Sequence, residues 1–338
     1  MRVETDAGRS RREISPRPRL VSDESWKVGA IAALAIVVGL VAAGARARHN
    51  MFWTGDAPFF VAVAHHPFAS TMPGDHLAYG VSYRYGRILF PLSAWLLALG
   101  RVAWVNATLL GVYVAAFGAW VALAAEHLRR SGRKPALALG VLALPFSVLA
   151  FFRPEVVSEP LAGALLLLVY LFERDGRRRA VLVTAALLVL TREPLVLAMV
   201  PLMWTGWKAR RFAAVRDWLL VMLPYASWVV WLRVRTGQFP FLDPSYSRKA
   251  ALGGPFEGWL RIWNGASGSQ QSGLIFAMLT LLAGGFVARR GHWRYPLTHG
   301  VVALCAVIPF LGPSVYRNPI EAFRVVAPIQ ALLLILLL

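Results

Sequence analysis

Residues 104–125 read WVNATLLGVYVAAFGAWVALAA, 22 positions without a charged side chain. A helix of about 20 apolar residues covers the hydrocarbon core of a bilayer. In lipid every backbone N–H and C=O must be bonded within its own segment, so such a run folds as a helix. Comparable runs occur near 28–45, 135–152, 160–173, 179–192, 194–207, 217–234, 272–288, 297–313 and 323–338. The pattern predicts an all-α polytopic membrane protein with about ten spans. Composition agrees: 57% of residues are hydrophobic and 16% charged, where a soluble domain carries about 25% charged residues.

The single membrane domain, 28–338, follows a basic tail, 1–27, whose Pro, Ser and Arg content predicts disorder. The end of the first apolar run, VAAGARA, resembles a signal-peptidase site, and Arg11–Arg12 matches a twin-arginine export signal. The long apolar core and the many spans after it favour an uncleaved first helix. Cys305 stands alone, so no intrachain disulfide forms. The net charge of +19 does not indicate nucleic-acid binding: beyond the tail, the arginines fall mainly in short clusters between apolar runs, and no soluble face carries a basic groove.

Those clusters set a topology. With the tail in the cytoplasm, the inside loops are HLRRSGRK, ERDGRRR, WKARRFAAVR and ARRGHWR, all short and arginine-dense as the positive-inside rule requires. This alternation holds only if RILFPLSAWLLALG, 87–100, does not cross, so it is read as an interfacial or half-embedded helix within a first outer loop, 46–103. The opposite face also receives 153–160, 191–194, 235–271 and 314–324, which hold nearly all the remaining acids together with prolines, aromatics and a second set of arginines.

Ionisable groups near a bilayer are costly and are candidates for function. Asp56 precedes Ala57-Pro58 and an apolar run, as a helix N-cap does; the same carboxylate, ionised, can accept a proton. His65 and His66 read as interfacial residues or a proton relay. Arg84 and Arg87 share a helical face and either clamp a phosphate or anchor the interface. Glu155 and Glu159, four apart, either hold a divalent cation or orient hydroxyls, or one of them pairs locally with Arg153. Arg192 and Glu193 sit between two spans with almost no loop, a costly position unless they are mutually paired or line a wet cavity. Arg317 and Glu321 have surface-pair spacing, and Arg324 follows before the last span. No Walker loop, GxSxG, HExxH or zinc-spaced set occurs.

GDAPFFVAVAHHPF followed by YRYGRILFPLSAWLLALG resembles the opening loop of GT-C membrane glycosyltransferases that build bacterial cell-surface glycopolymers. RPEVVSEP, TREP and RNPIEAFRVVAP are similar to that class's later outer segments. The resemblance implies a polyprenyl-phosphate-linked sugar as donor, a lipid-linked or surface glycan as acceptor, and a site on the outer face of the plasma (inner) membrane. It implies Asp56 as base, Arg84, Arg87 and Arg324 at the donor phosphate, and Glu155, Glu159, Arg192 and Glu193 orienting the acceptor or a cation. Two departures, a glutamate pair four apart and Ala-Pro-Phe-Phe after Asp56, leave metal use and subfamily open. The alternative is a non-enzymatic flippase or carrier of lipid-linked intermediates. Such carriers often show internal repeats, and no clear repeat of halves is visible here.

Overall fold

The computed structural model describes residues 20–44, 50–69, 85–152, 155–202, 211–237, 239, 253–265, 268–290, 293, 296–317 and 319–338. The expectations for the tail before residue 20, for Arg84 and Arg153, and for 240–252 within the outer segment 235–271 lie outside these residues. Every regular element among the described residues is helical.

The first helix, α1 (Asp23–Ala42), begins inside the segment expected to be tail. Ser22 caps it by accepting the Ser25 N–H, and Asp23 and Glu24 occupy its first turn, where carboxylates oppose the positive end of the helix dipole. Next come the short α2 (Ala57–His65) and α3 (Leu89–Leu97), then α4 (Val102–Arg130). At 29 residues, α4 is about 44 Å long. A 3-10 segment, Pro135–Ala143, leads into α5 (Pro145–Phe152), α6 (Glu159–Arg174) and α7 (Arg178–Thr191). A second 3-10 segment, Glu193–Met199, precedes α8 (Arg211–Thr236). The chain closes with α9 (Glu257–Gly265), α10 (Gly268–Arg289), α11 (Pro296–Cys305), the 3-10 turn Ile308–Phe310, α12 (Pro313–Arg317) and α13 (Pro319–Leu337).

Among the described residues five helices are long and apolar enough to cross a membrane, at 23–42, 102–130, 213–235, 271–289 and 320–337. The other five expected spans fall on shorter or interrupted elements. Pro135, Pro145 and Pro296 each begin a new segment there, and Pro194 and Pro309 stand second in theirs, because proline lacks the N–H that continues a helix. Within the five, α4 and α13 are the central members: 56% and 61% of their spanning stretches are buried, against 28–33% for α1, α8 and α10. The outward residues of α8, among them Leu219, Leu223, Val230 and Val234, are apolar and exposed, the surface a helix offers to lipid. Short α3 packs on α4 and leaves Leu96 and Leu97 exposed, as is Leu99 just after it; its nine residues reach only about 14 Å, too short to cross a hydrocarbon core of about 30 Å.

Helix α1 meets α4 backbone to backbone. A Cβ on Gly29 would lie 2.5 Å from the Gly118 carbonyl oxygen and 2.6 Å from Ala122 Cβ. Small residues at such a crossing allow the close approach that dispersion between membrane helices needs.

The two ends of the bundle differ chemically. At one end the start of α1 meets the end of α4: the Ser22 N–H and the Ser25 hydroxyl donate to Glu126 Oε2 at 3.1 and 2.9 Å. Arg130 pairs there with Asp175 in the α6–α7 turn, and Arg178 with Asp217 near the start of α8. Residues of three of the four arginine-rich loops therefore gather beside the start of α1. Helices α6 and α7, of 16 and 14 residues, run from this end to the other, about 20–24 Å away. Glu159 starts α6 there and Arg192 caps α7.

Candidate functional site

At that far end, charged side chains from five separate stretches of chain meet around Arg324. Its Nε donates to Glu159 Oε1 at 2.9 Å and its Nη2 to Asp56 Oδ2 at 2.8 Å. Nη1 reaches Glu321 Oε1 at 3.1 Å and Glu155 Oε1 at 3.3 Å. Arg192 Nη1 also donates to the same Glu159 oxygen. Arg87 lies 3.9 Å from Asp56 Oδ2 and 3.5 Å from Glu193 Oε2. Asp56, Arg87, Glu159, Arg192 and Arg324 are all buried.

Local structure explains each position. Gly55 has φ +58, and a Cβ there would fall 1.9 Å from Glu155 Oε1; only glycine lets the chain turn against that carboxylate. The turn aims the Asp56 N–H at Glu155 Oε1, 2.7 Å away, while the Val156 N–H donates to the Met51 carbonyl at 3.1 Å. Loop 50–56 is thereby locked to 155–157. Glu159 sits in the first turn of α6, before Pro160, and Arg192 at the C-terminus of α7; each faces the dipole end that favours its charge. Arg87 follows Tyr85, which the Trp228 indole N–H holds by its carbonyl at 2.8 Å and which donates its own hydroxyl to the His66 carbonyl at 3.1 Å. Trp228 also stacks on Trp231, with ring centroids 4.6 Å apart.

Asp56, Glu155, Glu159, Glu193 and Glu321 face three guanidiniums, Arg87, Arg192 and Arg324, among the described residues. The excess of carboxylate appears in Glu155. Burial pushes its carboxyl up to about 7; Arg324 pulls it down, Asp56 pushes it up, the Asp56 N–H pulls it down and Glu321 pushes it up. Because its folded pKa lies above the ordinary 4.5, the stability this group contributes is complete below about pH 4.5 and lost as pH rises through about 7. Glu155→Gln imitates the protonated form at every pH and keeps an oxygen for the Asp56 N–H. It is expected to raise apparent stability by at most about 3 kcal/mol above pH 7, with the gap closing toward pH 4.5. Thermal melts of the two proteins in detergent across pH 4.5–8 check this.

Seven of the eight residues to which the resemblance assigns site roles meet here; Arg84 is outside the described residues. Three details differ from expectation. The Asp56 side chain makes no cap bond to α2, because Arg324 engages it. The Arg324 guanidinium, expected at a donor phosphate, has its donors on four carboxylates and is 1% exposed. It also stands between Glu155 and Glu159, where their spacing suggested a cation. Among the described residues no group of His, Cys, Asp and Glu has the geometry to hold a metal ion. Glu321 pairs with Arg324, three residues on; the side chain of Arg317, its expected partner, lies outside what is described. Sequence reasoning missed Tyr113 and Tyr225, which lie within electrostatic reach of Glu155 and Glu159, and of Glu193 and Arg87, respectively; their only signal is a hydroxyl inside an apolar run. His65 is close to Asn106 Oδ1, 3.2 Å away, outside the charged cluster.

Fold and site together define a helical bundle, with helices able to cross a membrane, that holds a buried network of carboxylates and guanidiniums at one end. No protein-family model, curated protein or solved structure matches the chain.

Proposed function

We propose that this protein is a GT-C-type membrane glycosyltransferase that moves a sugar from a polyprenyl-phosphate donor to a hydroxyl of a lipid-linked or surface glycan. The observation that carries the reading is the convergence of Asp56, Arg87, Glu155, Glu159, Arg192, Glu193 and Arg324 at one end of an apolar bundle. A lipid-linked donor approaches such a site sideways from the bilayer. Asp56 takes the proton of the acceptor hydroxyl as that oxygen attacks the anomeric carbon. The bond from that carbon to the phosphate oxygen breaks, and its electrons leave with the phosphate. Arg87, with Arg84 close by in sequence and Arg192 across the cluster, offsets the developing charge. Arg324 acts as a positioning residue that holds Asp56, Glu155 and Glu159. Both oxygens of Glu193 are buried without a hydrogen-bond donor among the described residues, which suits them to receive acceptor hydroxyls. By the positive-inside rule we assign the arginine-rich end to the cytoplasm and the cluster to the outer face of the plasma (inner) membrane.

Mass spectrometry of surface glycans and polyprenyl intermediates tests this. Cells lacking the chain are expected to lose one glycosidic linkage and to accumulate the polyprenyl-phosphate sugar. The carrier reading replaces the enzyme if vesicles containing the purified protein move lipid-linked sugar across the bilayer and form no new glycosidic bond.

A further inference from the structure

The arginine-rich end holds a second site that the transfer chemistry does not use. Four of the guanidiniums described there are neutralised; among the described residues Arg133, Arg174, Arg177 and Arg179 are not. Arg129 and Arg130 lie on Glu126, Arg130 also on Asp175, and Arg178 and Arg216 on Asp217. Arg133, just beyond α4, and Arg174, the last residue of α6, form no ion pair among the described residues. The two open onto one cleft of about 360 Å³. The Arg174 Nη2 donates to the Arg130 carbonyl at 2.8 Å, which tethers the guanidinium and leaves its other donors without a partner among the described residues. The start of α11, at Pro296 and Leu297, lines the same cleft and adds the partial positive charge of a helix N-terminus. The remaining wall is mixed: Leu297, Ile335, Leu336 and Leu338 are apolar, and His127, Ser131 and Tyr170 spend their polar atoms on the Leu167, His127 and Ala198 carbonyls.

We propose that this cleft binds the headgroup of an anionic phospholipid from the leaflet at the arginine-rich end. The phosphodiester sits between Arg133 and Arg174, and the acyl chains run along Leu297, Ile335 and Leu336. Basic pockets between membrane helices recognise lipid headgroups in this way. The apolar part of the wall distinguishes the two sources of a phosphate. A free, hydrated phosphate gains nothing from leucine and isoleucine, whereas a phospholipid buries its chains against them while the guanidiniums take its charge. The site is independent of the proposed glycosyl transfer, and neither arginine belongs to the charged cluster at the far end.

The test uses the purified full chain and native mass spectrometry in detergent, titrated with phosphatidylglycerol or phosphatidylcholine. Wild type is expected to retain phosphatidylglycerol selectively, and Arg133→Gln/Arg174→Gln to lose roughly thirtyfold in apparent affinity. Arg177→Gln/Arg179→Gln, which removes two exposed arginines of the α6–α7 turn, is expected to bind as wild type does. Millimolar inorganic phosphate is expected not to displace the lipid. Equal retention of the two lipids, equal loss in both double variants, or displacement by phosphate alone each overturns the proposal. Melting curves of all three proteins confirm that the comparison is between folded chains.

Discussion

Asp56→Asn is expected to fold, reach the membrane in wild-type amounts and lose sugar transfer by about two to four orders of magnitude, the range a general base supplies. The structure sharpens why folding survives. Asp56 makes no cap bond at α2, so the substitution removes no cap. Asn keeps a side-chain oxygen at the position where Asp56 Oδ2 accepts from Arg324 Nη2 at 2.8 Å. It also removes one negative charge from a network in which carboxylates outnumber guanidiniums, which eases repulsion. What Asn cannot do is take a proton. Transfer near the wild-type rate, measured as product formed per mole of folded protein, removes Asp56 from the mechanism and points to Glu155. Its carboxyl lies beside the same backbone and is pushed up to about 7 by burial, suited to proton exchange near neutrality. Running Glu155→Gln in the same assay separates the two: a base is lost in one variant and kept in the other.

The parts of this molecule that were legible in the sequence are those governed by one-dimensional rules. The run 104–125 predicts α4 because its composition leaves no alternative in lipid, and the arginine clusters predict which segments share an end. Span length was less legible. Hydropathy alone cannot register that Pro145 restarts the backbone within 135–152 or that 194–207 begins as a 3-10 segment, whereas 160–173 and 179–192 match α6 and α7. Cluster membership could be read because an ionisable residue beside an apolar run is costly enough to need a reason. Partner assignment could not. Arg192 and Glu193 could be read either as a mutual pair or as lining a cavity; in the structure Arg192 turns to Glu159 and Glu193 to Arg87, since neighbours in sequence at a helix end point in different directions. Arg324 looked like a phosphate ligand because nothing in its own segment reveals that Asp56, 268 positions away, and Glu159 close on it in three dimensions.

That closure makes Arg324 the residue whose loss is expected to cost the fold most. Arg324→Gln leaves Asp56, Glu155, Glu159 and Glu321 facing one another without the guanidinium they share. Removing one partner of a buried ionic group leaves uncompensated charge and costs about 3–5 kcal/mol, a large fraction of the stability of an ordinary domain. The loss carries a pH signature that a packing defect lacks. Carboxylates deprived of a counterion rise in pKa, so the folded variant holds extra protons. Its stability is therefore greatest at low pH and declines as pH rises through the shifted values. Arg324→Gln is expected to yield little folded protein at pH 8 and substantially more near pH 5.5, by size-exclusion profile and thermal melt in detergent. Pairing it with Glu159→Gln removes a carboxylate that is fully buried and is expected to recover part of the loss at pH 8. A single variant as stable as wild type at pH 8, with no recovery on acidification, would show that the carboxylates do not depend on Arg324 and would withdraw it as the positioning residue of the site.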